Sequence, residues 1–273
     1  TAADGNELRV KRGEDGWRLP AADGFPAGGR RVERLLKDLG RFEDRLAVAR
    51  SEEAHERFSV GSENFERRVE LMSGDETVAT VFFGGSAGTG RVYARAAGQE
   101  TVHEVAFTLQ HASVDPQAWY DTAVAGLDPR NVRQAEMPGF VLRRTDGRVW
   151  KLVEGDSGPV DTNPAGALGL VRRLAQPGIR GIARAEPPDA EPVLAYTLTT
   201  KEGDEVRFRY YASGEDSAPY LHRDDQPWRY TVPPKRLARL RNSSPDELLA
   251  AQDGGKGDEA SADSASGAGG TSS

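Results

Sequence analysis

Apolar positions recur along this chain in two rhythms, and each rhythm is used twice. Between residues 30 and 39, Val32, Leu35, Leu36 and Leu39 stand at i, i+3, i+4 and i+7 with Arg and Glu between them. That spacing gathers side chains into one stripe on a helix. Ala167, Leu170, Val171 and Leu174 repeat it 135 positions later (167 − 32) without a gap. Asn163-Pro164 precedes the second stripe, a cap followed by proline at the first helical position, where the missing N–H is no loss. Ser51 ahead of "EEAHERF" predicts a further short helix, capped by the hydroxyl and favoured by acidic residues at its positive end.

The second rhythm is alternation. "ELRVKR" (7–12) and "GWRL" (16–19) flank the turn "GEDG" and read as two short strands. Four more follow the first helix: "RRVELMS" (67–73), "TVATVFF" (77–83), "RVYARAA" (91–97) and "TVHEVAF" (101–107). Their connections, "SGDE", "GGSAGTG" and "AGQE", are turn compositions too short for crossover helices, so an antiparallel meander is predicted. The order then restarts. "FVLRR" (140–144) and "VWKL" (149–152) flank "TDGR", the second helix follows, and Pro177-Gly178 closes it. "LAYTLTT" (194–200), "VRFRYY" (206–211), "PYLHRD" (219–224) and "WRYTV" (228–232) supply a second meander, which Pro233-Pro234 ends.

Between the halves, Asp115-Pro116 predicts a helix carrying Trp119 and Tyr120. Ser244-Pro245-Asp246-Glu247 has the capping-box form near the end. Beyond about Gln252 the chain is Gly, Ser, Ala and Asp, which cannot repay its ordering entropy. The expected fold class is therefore α+β, as tandem duplicated units, each an antiparallel β-meander packed against one main helix. The divisions are 1–112 for the first repeat, 113–137 for the linking helix and lead-in strand, 138–251 for the second repeat and 252–273 for a disordered tail. The expected structural core is Trp17, Val32, Leu35, Leu36, Leu39, Trp150, Ala167, Leu170, Val171 and Leu174, with Trp17 and Trp150 at equivalent strand positions.

Composition narrows the chemistry. A net charge of −7 over 273 residues argues against a general phosphate-binding surface, and nucleic acid is not an expected partner. With no cysteine, disulfides, thiolate metal sites and a Cys nucleophile are excluded. No run approaches the roughly 20 apolar residues that a membrane-spanning helix needs. The chain starts at Thr1, and the expectation is that an upstream tag, signal or anchor has been removed.

"GGSAGTGRV" (84–92) matches two catalytic patterns at once. Gly84-Gly85-Ser86-Ala87-Gly88 satisfies G-x-S-x-G, and read one residue on, the stretch resembles a P-loop with Arg91 in the Lys position and Val92 where a hydroxyl belongs. Both motifs need a helix directly afterwards, to expose the serine or to hold phosphate at its N-terminus. Here a strand pattern follows, so a glycine-rich hairpin connection is expected. His55, His103, His111 and His222 show no metal-ligand spacing, and Glu52-Glu53 and Asp224-Asp225 fall in helix starts or turns. No catalytic, cofactor-binding or metal residue is assigned, and no cofactor is expected.

Three blocks of the chain together resemble a known family: "GWRLP…FPAGGRRVERLLKDLGRF", "ERRVEL…ETVATVFFG…RVYAR…TVHEVAF" and "DPQAWYD…LDPRNVRQAEMPGFVLRR". They are similar to the bacterial domain-of-unknown-function family 4340 (DUF4340), over roughly residues 7 to 250. The resemblance implies repeated α+β units behind an N-terminal membrane anchor, often encoded beside ABC transporter components of the gliding-motility auxiliary type. It implies no catalytic residues. The counterpart of "LDPRNVRQAEM" is lacking ahead of the first repeat.

The expected function is thus a non-enzymatic, membrane-tethered accessory or binding module on the periplasmic side of the inner membrane, with a protein partner such as ABC transporter components. The rivals are a serine hydrolase using Ser86 and a carrier of a small or lipidic ligand between the two sheets.

Overall fold

A computed structural model describes residues 1–41, 46–145, 149–183, 191–212 and 218–249. The expected tail and the turn around residues 146–148 lie outside the described residues. The chain is α+β and its sheets are antiparallel throughout.

The first half opens with β1 (Lys11–Gly13), β2 (Gly16–Leu19) and β3 (Phe25–Pro26), a three-stranded sheet in that order. Of the strand expected over 7–12, only its end is strand. Next come α1 (Gly29–Leu39), β4 (Leu46–Ala49) and α2 (Glu52–Arg57), in which the Ser51 hydroxyl accepts from the Ala54 N–H as expected. The meander follows as β5 (Arg67–Ser73), β6 (Glu76–Gly88), β7 (Arg91–Ala96) and β8 (Val102–Val105). With β4 on its far edge, it forms a sheet of order β4-β8-β7-β6-β5.

The second half runs β9 (Val132–Met137), β10 (Phe140–Arg144), β11 (Trp150–Val153), β12 (Val160–Asp161) and α3 (Pro164–Ala175). It continues with β13 (Gly181–Ile182) and the strands β14 (Leu194–Thr200), β15 (Glu205–Tyr211), β16 (Tyr220–Arg223) and β17 (Arg229–Thr231). All nine make one sheet, β12-β11-β10-β9-β14-β15-β16-β17-β13. Its last five strands repeat the order of the five-stranded sheet, with the edge strand after the main helix pairing the last strand of the meander in both cases. The halves differ at one join. β9 pairs with β10 on one side and β14 on the other, fusing hairpin and meander, while the first half keeps them as separate sheets.

Helix α3 begins where Asn163 Oδ1 accepts from the N–H groups of Ala165 and Gly166. Its stripe, Ala167, Leu170, Val171 and Leu174, is fully buried. On α1, Val32 and Leu39 are buried and Leu35 packs against two clusters at once, but Leu36 is 38% exposed. The expectation of Leu36 as core is corrected: α1 lies toward its Leu35 flank so as to bridge the two clusters, which turns Leu36 outward. Trp150 is buried, and Trp17 is half-buried against the same core. That core crosses the division at 112, because Phe25 meets Tyr120, Trp228 and Tyr230 edge-on at 4.9, 5.3 and 6.2 Å between ring centroids.

Two further expectations are corrected. Pro116–Trp119 is a single 3-10 turn capped by Asp115, with Tyr120 just beyond it. Pro245–Leu248 is also a 3-10 turn and Ser244 makes no side-chain cap. In both places the segment is too short to repay helix nucleation once its apolar residue, Trp119 or Leu248, has reached the core. As expected, the last strand ends before Pro233-Pro234, and α4 (Pro234–Arg241) follows, burying Leu237 and Leu240.

Candidate functional site

The serine loop is the first place to look for chemistry. Strand β6 runs through it to Gly88, with register shifts between Phe83 and Ser86 and between Ser86 and Gly88 as it pairs with β7. Ser86 is exposed, and its hydroxyl lies 3.3 Å from both the N–H and the C=O of Gly88. A strand follows, so the serine lacks the strand-to-helix turn that would lift Oγ toward an oxyanion site. The glycines answer to packing. A Cβ on Gly84 would sit 1.9 Å from the Phe58 carbonyl oxygen and 2.6 Å from that of Ser59, while the Gly85 N–H donates to the Phe58 carbonyl at 3.1 Å. Gly88 and Gly90 take positive φ, 129° and 68°, which glycine adopts without a steric penalty.

The histidines stay apart. Nε2 of His55 lies 2.7 Å from the Glu100 carbonyl, and Nδ1 of His111 lies 3.2 Å from Asp38. His222 sits on the face of β16, its pKa lowered by burial and by Arg209. Among the described residues no group of three His, Cys, Asp or Glu could hold a metal ion. The paired carboxylates are explained locally: Glu52 and Glu53 lie in the first turn of α2, Asp224 takes Arg209, and Asp225 takes Arg223.

Two polar residues that sequence patterning missed are the most buried charges. Arg95 lies opposite Phe82 in the β6–β7 ladder, its guanidinium 5.0 Å from that ring's centre. Nε donates to the Val60 carbonyl at 2.8 Å and Nη1 to Gln99 at 3.0 Å, and burial lowers its pKa. Arg223 repeats the device, opposite Phe208 and 5.4 Å over its ring. Its Nη1 donates to the carbonyls of Val124 and Gly126 at 3.1 and 3.0 Å, and Nε donates to Asp225 at 2.9 Å. Each arginine ties a covering loop to its sheet. The available signal was an Arg paired with a Phe at matching places in each meander.

Ala2 bridges Arg67, the Thr1 α-amino group donates to the Arg68 carbonyl at 2.8 Å, and the Arg68 N–H donates to the Thr1 carbonyl at 2.9 Å. Burial lowers the pKa of that amino group. From Val69 to Ser73, no strand among the described residues lies on this edge. Beside it Arg68 pairs with Glu70 at 3.4 Å, and Met72 and Val78 are 52% and 59% exposed at the hairpin's end.

Compared with known proteins, residues 17–200 match a family model described as a domain of unknown function, DUF4340. No curated protein and no solved structure matches the chain. No helix among the described residues is long and apolar enough to cross a membrane.

Proposed function

Because the chain belongs to the DUF4340 family, whose description assigns no activity, we propose that its work is binding: a non-enzymatic, membrane-tethered accessory module on the periplasmic side, engaging an ABC-transporter-type complex. One observation carries the binding part. The side chains that most invite a chemical reading are committed to holding the fold, Ser86 within its own strand and Arg95 and Arg223 on main-chain carbonyls. The matching order of the two meanders supports descent from one copied unit, which would make the molecule a platform for contacts. The membrane and transporter parts rest on what the family resemblance implies.

Affinity capture of the full-length protein from cross-linked membranes tests the reading. Transporter subunits are the expected co-purifying proteins, and recovery of cytoplasmic proteins alone would overturn it. Labelling of Ser86 by a fluorophosphonate would overturn the non-enzymatic part.

A further inference from the structure

Charge is unevenly placed along the second half. Residues 164–183 carry Arg172, Arg173 and Arg180 and no acid; residues 226–245 carry Arg229, Lys235, Arg236, Arg239 and Arg241 and again no acid. Over the whole chain acidic residues outnumber basic ones by 43 to 36, so these two stretches invert its charge. The fold then joins them. β13 pairs with β17, the Arg180 N–H donates to the Thr231 carbonyl at 2.9 Å, and the Arg236 guanidinium reaches the Gln176 carbonyl just past α3. α3 and α4 turn their apolar sides, Leu170, Leu174, Leu237 and Leu240, into one core.

Arg172, Arg180, Lys235, Arg239 and Arg241 are exposed, and among the described residues none of the five pairs with a carboxylate. The acids that border the second stretch lie elsewhere. Asp224 pairs with Arg209 and Asp225 with Arg223, while Asp246 and Glu247 follow the far end, where the Glu247 carbonyl comes against Gly166 in the first turn of α3. A cation in the last turn of a helix favours the dipole, which accounts for Arg172, Arg239 and Arg241. Lys235 is the reverse case. It stands in the first turn of α4, where positive charge is unfavourable, and no acid of that turn offsets it. Helix stability does not explain this lysine. On α3, Leu168 lies one turn ahead of Arg172 on the same side and is 40% exposed.

We infer that this basic face of α3 and α4 is a membrane-contact surface, laid against the anionic headgroups of a lipid bilayer. Its cations are spread over two helices and the segment after α3, which suits a layer of phosphates better than one small anion. Leu168 among them suits the apolar layer just below the headgroups. A negative overall charge argues against a general phosphate-binding surface but not against a local one. Each basic residue near an anionic bilayer strengthens attachment roughly fivefold. Screening confines the field to about 8 Å in physiological salt, so acidic surface farther away weighs little. The inference rests on the membrane reading proposed above, which favours lipid over nucleic acid as the polyanion, and deepens it by naming the face that meets the bilayer.

The probe is vesicles of phosphatidylglycerol mixed with phosphatidylcholine, sedimented with the intact chain and compared with vesicles of phosphatidylcholine alone. The expected result is that the anionic vesicles retain the chain about tenfold or more strongly, with a preference that falls as salt rises from about 0.05 to about 0.5 M. Lys235→Glu with Arg239→Glu lowers retention by about tenfold or more. Arg172→Glu with Arg180→Glu, on the neighbouring stretch, gives a similar loss, so misfolding of one variant does not decide the outcome; unchanged urea midpoints show that each is folded. Arg50→Glu with Arg57→Glu makes the same charge change at exposed sites beside the five-stranded sheet and leaves retention within about twofold. No preference for anionic vesicles overturns the inference, as does an equal loss in the Arg50 and Arg57 variant or no loss in folded variants of the basic face. Tighter retention by duplex DNA at equal phosphate concentration overturns it too, since the polyanion is then nucleic acid. Vesicles contain no transporter, so failure here leaves the co-purification test standing, and failed co-purification leaves the vesicle result standing.

Discussion

At the scale of single residues, the glycine-serine loop separates a motif from its meaning. Gly84 has no room for a side chain because the backbone of Phe58 and Ser59 passes over it, and backbone cannot swing aside as a flexible side chain can. Gly84→Ala is therefore expected to cost about 2 kcal/mol or more in urea unfolding, while Ser86→Ala, at an exposed site, stays within about 0.5 kcal/mol. Buried tyrosines give a pH test. The Tyr196 hydroxyl donates to the Leu174 carbonyl and lies 3.2 Å from that of Tyr210. Burial raises Tyr196 well above its ordinary value of 10.0 and pushes Tyr210 up to about 12. The folded chain thus keeps protons that the unfolded chain releases near pH 10. Their stabilisation is complete below that pH and is lost as pH rises toward about 12. Urea midpoints should hold level up to about pH 10 and then fall, with a shallower fall in Tyr210→Phe; a flat profile to about pH 12 would refute the assignment.

Among the elements, local signals were legible where the chain itself supplies the partner. The Ser51 and Asn163 caps could be read because each accepting oxygen meets an N–H two or three residues on. The Ser244 cap could not, because Leu248 reaches the core through a 3-10 turn and the capping box never forms. Asn163→Ala should lower stability by about 1 kcal/mol and Ser244→Ala by almost nothing, as measured by denaturant unfolding. Leu36 shows the same limit from the other side. Spacing placed four residues on one stripe, but which edge of a stripe is buried depends on where the neighbouring clusters lie, and those come from distant parts of the chain.

On the scale of the whole molecule, the largest core is shared between the halves. Phe25 of the first half is fully buried among Tyr120, Trp228 and Tyr230. Phe25→Ala should therefore destabilise the second half as well, by about 3–5 kcal/mol, within one unfolding transition that Trp150 and Trp228 fluorescence report. Two separate transitions, with the second half unaffected, would refute a shared core. The sequence alone determined the strands of the two meanders, most of the two hairpins and the two main helices, because period and turn chemistry act over a few residues, and it missed the short strands β3, β4, β12 and β13. It also showed that a strand follows the serine, which is enough to deny the nucleophile elbow. Only the tertiary structure decided that β9 fuses one hairpin to its meander while the other hairpin forms a sheet of its own. It alone placed Arg95 and Arg223 under covering loops and seated Phe25 in the other half's core. Those outcomes rest on pairings between residues far apart in the chain, and no local pattern encodes which distant backbone or ring will arrive.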